Sequence, residues 1–381
     1  MNNIERNKMK KYLMMSAAAV GVFAVGCTKV EDMSEEQAIN FAVASYVPQT
    51  KAGPISIKDD GVDSFMCKAF LHANGAASST DYFGAGGEEI VFNSTEYYWA
   101  PATHPYYWPK HPDSYINFVS WYDNGAGPTG DVSETSMAWT GRSIGPVDNI
   151  MFADVAWRFK NNDNAVYKQD GVSAGVPTLF HHALAKVKIQ FNAAPLTDPN
   201  ATSNTFEVTL QSVTLTGVYN QGSMVLSNSD KGTMGQKAWT ASNTTFYWDP
   251  TGTPSDIPLV SDKALTADFA TVFPTKATQD ANTGIDAQSV LPQAVTDGMK
   301  LVITYSVTAK YNGTAFLEEV NIPAEVKLNT LKNVSNVAID KWEPNKIYTY
   351  KITINPLTDK ILIDPAIESD WVSENVSATI E

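Results

Sequence analysis

Cysteine is nearly missing from this chain: Cys27 and Cys67 are the two in 381 residues. Cys27 ends an apolar leader, so Cys67 has no internal partner and no disulfide framework staples the fold. Stability must come from a sizeable core. Cys67 itself lies in Phe65-Met66-Cys67-Lys68-Ala69-Phe70-Leu71, where alternate residues share one strand face, and it reads as a small buried apolar residue. Positive charge is also scarce, with 27 Lys and Arg against 41 Asp and Glu and a net charge of −14. Such a chain repels phosphate backbones, which excludes nucleic acid as a partner. Histidine occurs five times, at His72, His104, His111, His181 and His182, and none sits in a zinc-protease helix motif. His104 and His111 flank a Pro-rich loop without an accompanying Cys or carboxylate cluster, so no metal site is expected. Gly84-Ala85-Gly86-Gly87 lacks the lysine and the following helix of a phosphate loop. No Gly-x-Ser-x-Gly elbow occurs. The sequence offers neither a catalytic constellation nor a cofactor site.

The chain opens with a basic stretch (Arg6, Lys8, Lys10, Lys11), a short apolar run from Leu13 to Val25, and Ala24-Val25-Gly26-Cys27. That order describes a secretory signal peptide whose apolar run is too short to cross a bilayer as a mature helix. A cysteine directly after a small residue resembles the lipobox of bacterial lipoproteins, which implies cleavage between Gly26 and Cys27 and acylation of Cys27. Acyl chains contribute roughly 0.8 kcal/mol per buried methylene, so several anchor firmly. Glu31, Asp32, Glu35 and Glu36 follow. They read either as a solvated tether or as a surface-export signal similar to that of outer-membrane lipoproteins of the Bacteroidales.

Helical periodicity is scarce in the remainder, and alternation with period two is widespread. Ala185, Val187, Ile189 and Phe191 form one such series. Leu301, Ile303, Tyr305, Val307 and Ala309 form another, and Tyr348, Tyr350, Ile352 and Ile354 a third. One apolar and one polar face per segment predicts antiparallel strands that bury one side. Tyr311-Asn312-Gly313-Thr314 predicts a two-residue hairpin turn. Frequent turn signals between many strands suggest all-β sandwiches. The Gly- and Ser-containing stretch 170–177 is the preferred domain boundary. The strand ending at Phe191 and the one beginning at Phe206 are expected to be neighbours in one sheet.

Aromatic residues concentrate between Tyr97 and Tyr122, with Trp99 two residues before Pro101 and Trp108 directly before Pro109. Exposed, they would stack on sugar rings, and Trp99 and Trp108 are the candidate glycan contacts. Buried, they would pack over the end of a sandwich with polar tips toward water.

Taken together these segments resemble the fimbrillin family, the Mfa-like lipoproteins of type V pili. The matching stretches are Tyr106-Tyr107-Trp108-Pro109 with Tyr115 to Trp121; Asp148-Asn149-Ile150-Met151-Phe152-Ala153; Phe180-His181-His182-Ala183-Leu184; Leu291-Pro292-Gln293; and Trp342-Glu343-Pro344-Asn345-Lys346 continuing to Ile352. The resemblance implies two transthyretin-like antiparallel β-sandwich domains, at 52–175 and 176–381, behind a signal peptide (1–26) and a lipidated tether with a removable first strand (27–51). It implies lipoprotein export to the outer membrane and assembly with other fimbrillin subunits. It further implies that an Arg/Lys-specific protease releases the first strand. Residues 38–47 read as that strand, with Ile39, Phe41, Val43 and Val47 on one face, and the loop after it puts the cut between Lys51 and Ala52. A vacated groove invites another strand, and Val372, Val376, Ala378 and Ile380 share a face in the candidate donor. A surface ligand on a host or a bacterium remains the alternative partner, as for a glycan-binding lipoprotein or a tip adhesin that does not polymerise.

Overall fold

The computed structural model describes residues 38–45, 57, 61–95, 98–160, 175–229, 233–243, 246–259, 262–272, 287–358, 360–364 and 366–370. Among these the regular elements are strands with two short 3₁₀ turns. The expected all-β class is what the chain adopts.

Seven strands of the first body form a closed circuit of pairings. Ser64–His72 pairs with Tyr115–Asp123, which pairs with Ile150–Ala153, and that strand with Val176–His182. Val176–His182 then pairs with Phe41–Ser45, which touches Tyr98–Pro101; Glu88–Asn93 joins Tyr98–Pro101 back to Ser64–His72. The inside of this circuit is filled by Phe41, Phe65, Cys67, Ile116, Phe118 and Phe180, among others. Tyr115–Asp123 is buried on both faces from Tyr115 through Trp121, Asn117 and Ser120 included, as a central strand is. Ile116 and Phe118 point into the circuit, whereas Val119 and Trp121 belong to a second core on its outer side.

That second core is built from both halves of the sequence. Gln221–Ser227 pairs with Ser136–Ser143, and Gly235–Lys237 pairs with Val155–Phe159. Trp139 and Trp248 are fully buried there with ring centroids 6.4 Å apart. The indole of Trp239 donates to the Ala153 carbonyl and that of Trp248 to the Ala183 carbonyl, each at 2.8 Å. Trp239 and Trp248 thus satisfy their one polar group on backbone across the chain, whereas the Trp139 indole donates to the Asp123 carboxylate at 3.0 Å.

The second body is a sandwich with a single continuous core. One sheet centres on Ala185–Ala193 and Lys346–Asn355, paired in parallel over eight residues. The other runs Ala201–Val218, Lys300–Tyr311 and Thr314–Lys327. All three alternating series are buried on the expected side. Asn312 and Gly313 take φ of 48° and 82° at the predicted hairpin, where Tyr311 pairs with Thr314. The Trp342–Lys346 segment folds over the start of its own strand. Trp342 Nε1 donates to the Tyr350 hydroxyl at 2.9 Å, the Glu343 amide donates to the Tyr348 hydroxyl at 3.0 Å, and the Asn345 amide donates to the Leu184 carbonyl at 2.9 Å. Gln293 is buried and clamps Tyr219 on both its amide and its carbonyl, at 2.9 Å each.

Two expectations need correction. The strand ending near Phe191 and the one carrying Phe206 lie in opposite sheets, facing each other across the core, and are not neighbours in one sheet. Alternation reports which face of a strand is buried, not which strand lies beside it. Val176–His182, assigned by the expected boundary to the second domain, is a strand of the first circuit. The expected break at 170–177 runs into the start of that strand, and the chain passes to the other body only at Ala183 and Leu184.

Because the outer core joins 221–250 to the first body, the two halves should unfold together. Trp248→Ala is expected to cost about 3–5 kcal/mol, as for large aromatic truncations in a core. Urea unfolding followed by far-UV circular dichroism should still show one transition; two separated transitions would contradict the coupling.

Candidate functional site: the seat of the first strand

The first strand closes the circuit, yet it is held unequally on its two sides. Against Val176–His182 it runs parallel through five residue pairs, Phe41 with Val176 through Ser45 with Phe180. Against Tyr98–Pro101 it makes, among the described residues, one pair, Phe41 with Trp99. Three further backbone contacts fix its beginning. The Ile39 amide donates to the Tyr106 carbonyl at 2.7 Å, the Val176 amide donates to the Asn40 carbonyl at 2.7 Å, and Ala38 bridges to Tyr107.

Two side chains anchor it. Ile39 and Phe41 are each 1 % exposed, and Val43 packs against the same core while partly buried. The Phe41 ring meets Phe65 and Phe118 edge-on, with centroids 5.9 and 5.6 Å away. Phe65 in turn contacts Trp99 and Phe180 at 5.4 and 5.1 Å. Burying a side chain of this kind contributes roughly 1.5–3 kcal/mol, and an edge-to-face aromatic pair adds about 0.5–1.5 kcal/mol. If the strand left, this aromatic floor and one row of backbone groups on Val176–His182 would face water.

Gly175, just before Val176, is a requirement of the seat. A Cβ there would lie 2.8 Å from the Asn40 oxygen and the Phe41 carbonyl carbon and 2.9 Å from the Ala42 nitrogen. All three are backbone atoms of the first strand, so no side chain can swing aside to relieve the collision. Sequence reading missed Gly175 because it sits in a stretch that looked like a linker.

The aromatic segment acts as a clasp for this strand. Tyr106 and Tyr107 lend it backbone groups, and the Tyr82 hydroxyl donates to the Tyr107 carbonyl. The Tyr106 ring lies 4.4 Å from Phe83. Trp99 and Trp108, the candidate glycan contacts, are both 4 % exposed. Trp108 packs edge-on to Phe118 at 5.8 Å, and Trp99 lies on Phe92 at 5.3 Å. Neither offers a face to a sugar, which removes that assignment. Of the remaining candidates, Gly26, Cys27, Val47, Lys51, Ala52, Val372, Val376, Ala378 and Ile380 lie outside the described residues. Among the described residues no group of three or more His, Cys, Asp or Glu side chains is placed to hold a metal ion.

Cys67 offers a natural probe. It is fully buried inside the circuit, and burial pushes its thiol up to about 12, so thiolate is almost absent at neutral pH. In a Cys27→Ser background Cys67 is the sole thiol, and it should resist alkylation in the native state. Gly175→Val should displace the first strand and raise the labelling rate at least tenfold. An unchanged rate, with intact circular dichroism, would show that the seat tolerates a side chain there.

The fimbrillin-like family model matches residues 58–371. Among solved structures, a fimbrial protein of Bacteroides vulgatus is 13 % identical with a TM-score of 0.50, the alignment covering 87 % of this chain and 99 % of that one. A candidate cell adhesion protein of Bacteroides uniformis is 16 % identical over 89 % of this chain and 99 % of its own, with a TM-score of 0.47. The fimbrial anchor protein Mfa2 of Porphyromonas gingivalis is 10 % identical over 88 % and 98 %, with a TM-score of 0.30. The likeness to the first is one of fold, and the other two overlap more loosely. No curated protein matches the sequence significantly. With a family model spanning most of its length and an all-β body to match, the chain belongs to the fimbrillin-like family.

Proposed function

We propose that the chain is a structural subunit of a fimbrium, exported as a lipoprotein precursor and polymerised by exchange of its first strand for a strand of another subunit. The observation that carries this reading is the lopsided seat. The first strand completes the core with Ile39 and Phe41, yet among the described residues it pairs with Tyr98–Pro101 only at Phe41 and is otherwise held on that side by the Tyr106 and Tyr107 backbone. A covalent cut after it, between Lys51 and Ala52, turns a tethered strand into a separate short peptide, whose departure gains chain entropy. The opened groove keeps an apolar floor and unpaired backbone groups, which favour strand addition.

The donor is the segment beyond Asp370. The last described strands, Lys360–Ile363 and Ile367–Asp370, lie along Lys346–Asn355 in the second body. Residues 371–380 continue from there, with Val372, Val376, Ala378 and Ile380 alternating as groove-filling side chains would. In this scheme lipid on Cys27 holds the precursor in the outer membrane, and an Arg/Lys-specific protease frees the mature subunit. Its partners are other fimbrillin subunits, and it supports cell adhesion from the cell surface. The chemistry is mechanical assembly and not catalysis.

Two experiments test the scheme. Protein sheared from cells should begin at Ala52 and carry no lipid; an acylated start at Cys27 in the membrane fraction would instead indicate an anchor or a non-polymerising lipoprotein. Deleting residues 371–381 should leave a folded monomer that forms no polymer on electron micrographs. Fibres of normal length from that deletion would exclude the tail as donor.

A further inference from the structure

We propose that the seat of the first strand selects a foreign donor. It is shaped for a strand with an aromatic residue flanked, two positions away on each side, by aliphatic ones, and the tail of an identical chain does not supply that pattern. The inference rests on the strand-exchange reading above and adds which partner the groove takes.

The demand comes from the middle of the seat. Phe41 is paired on both sides, with Val176 and with Trp99. Its buried ring is gripped edge-on by Phe65 and Phe118, both at interplanar angles of 84°. Those two rings are themselves propped from behind. Phe65 meets Trp99 and Phe180 at 5.4 and 5.1 Å, and Phe118 meets Trp108 and Phe83 at 5.8 and 6.1 Å. A cage braced in this way resists closing over a missing ring, and a truncation costs more the larger the cavity that stays open. The flanking positions ask for less bulk: Ile39 is buried and aliphatic, and Val43 is only partly buried.

The chain's own candidate donor does not meet that demand. One phase of its tail reads Val372, Glu374, Val376, Ala378 and Ile380. The other begins with Trp371 and continues with Ser373, Asn375, Ser377 and Thr379, too polar for an aromatic floor. The tail's aromatic residue therefore lies out of phase with its apolar ones. The run of three apolar residues in phase, Val376, Ala378 and Ile380, puts Ala378 in the middle whichever way the strand runs. Registers nearer the start of the tail set the Glu374 carboxylate on the aromatic floor, which costs still more. With Ala378 in the place of Phe41, a void the size of a phenyl ring remains. A donor from a different subunit, with an aromatic residue at that position, fills it, so the void discriminates against self.

The test uses the full-length chain with Cys27→Ser and a site-specific protease sequence inserted after Lys51. After the cut, fluorescein-labelled peptides in excess compete for the seat, and anisotropy reports their affinity. The peptides are residues 37–47, their Phe41→Ala variant, residues 371–381, and the tail variants Ala378→Phe and Ser377→Phe. The 37–47 peptide should exchange in, and Phe41→Ala should weaken it about a hundredfold or more, as truncation of a core phenylalanine does. The unmodified tail should bind as weakly as that variant. Ala378→Phe should strengthen the tail roughly tenfold or more, whereas Ser377→Phe, which adds the same ring out of phase, should not. Binding of the unmodified tail as tight as that of 37–47, or equal rescue at both positions, overturns the foreign-donor inference and leaves strand exchange standing. If no peptide enters the cut chain, 37–47 included, strand exchange itself falls and this inference with it.

Discussion

The first strand is the constraint on which the rest of the first body depends, because seven strands close into a circuit only while it is in place. Its neighbours on either side, Val176–His182 and Tyr98–Pro101, are not paired with each other. Phe41 fills the space where Phe65 and Phe118 converge, and Gly175 is bare so that the two backbones can approach. The aromatic segment serves the same end, since Tyr106 and Tyr107 supply backbone partners to residues 38 and 39.

The second organising feature is the outer core, where Trp121, Trp139 and Trp157 of the earlier sequence meet Trp239 and Trp248 of the later. Strand pairing across this layer joins residues far apart in the chain, such as Leu226 with Met137. Contacts of such sequence separation pay loop-closure entropy before they are rewarded, which is a reason to expect slow folding. They also make the two halves one mechanical body, an advantage for a subunit carrying load along a fibre.

The identities of single strands were legible, because period-two alternation follows directly from one buried and one wetted face. Ala185 to Phe191 and Tyr348 to Ile354 were read correctly as strands with one buried face for that reason, although the two pair in parallel and not antiparallel as expected. The Asn312-Gly313 turn was read correctly because few other pairs tolerate its positive φ. The seat was half legible. Ile39 and Phe41 were visible as one face of a strand, but their cage of Phe65, Phe118 and Phe180 comes from three segments that only folding brings together. Gly175 gave no signal, since a glycine needed for close approach reads like a glycine in a linker. The aromatic segment was ambiguous between surface and core because composition carries no depth; Trp99 and Trp108 proved to be core.

By itself the sequence determined the class of structure and the chemistry available: a core built without a disulfide framework, strands by alternation, and an excess of acidic over basic residues. These follow from local rules, in which each residue's environment repeats along its own segment. The tertiary structure alone decided sheet membership, the passage from one body to the other at Ala183, the insertion of 221–250 against the first body, and the unequal grip on the first strand. Those depend on which distant surfaces fit together, and shape complementarity across hundreds of residues leaves no period in the chain to read.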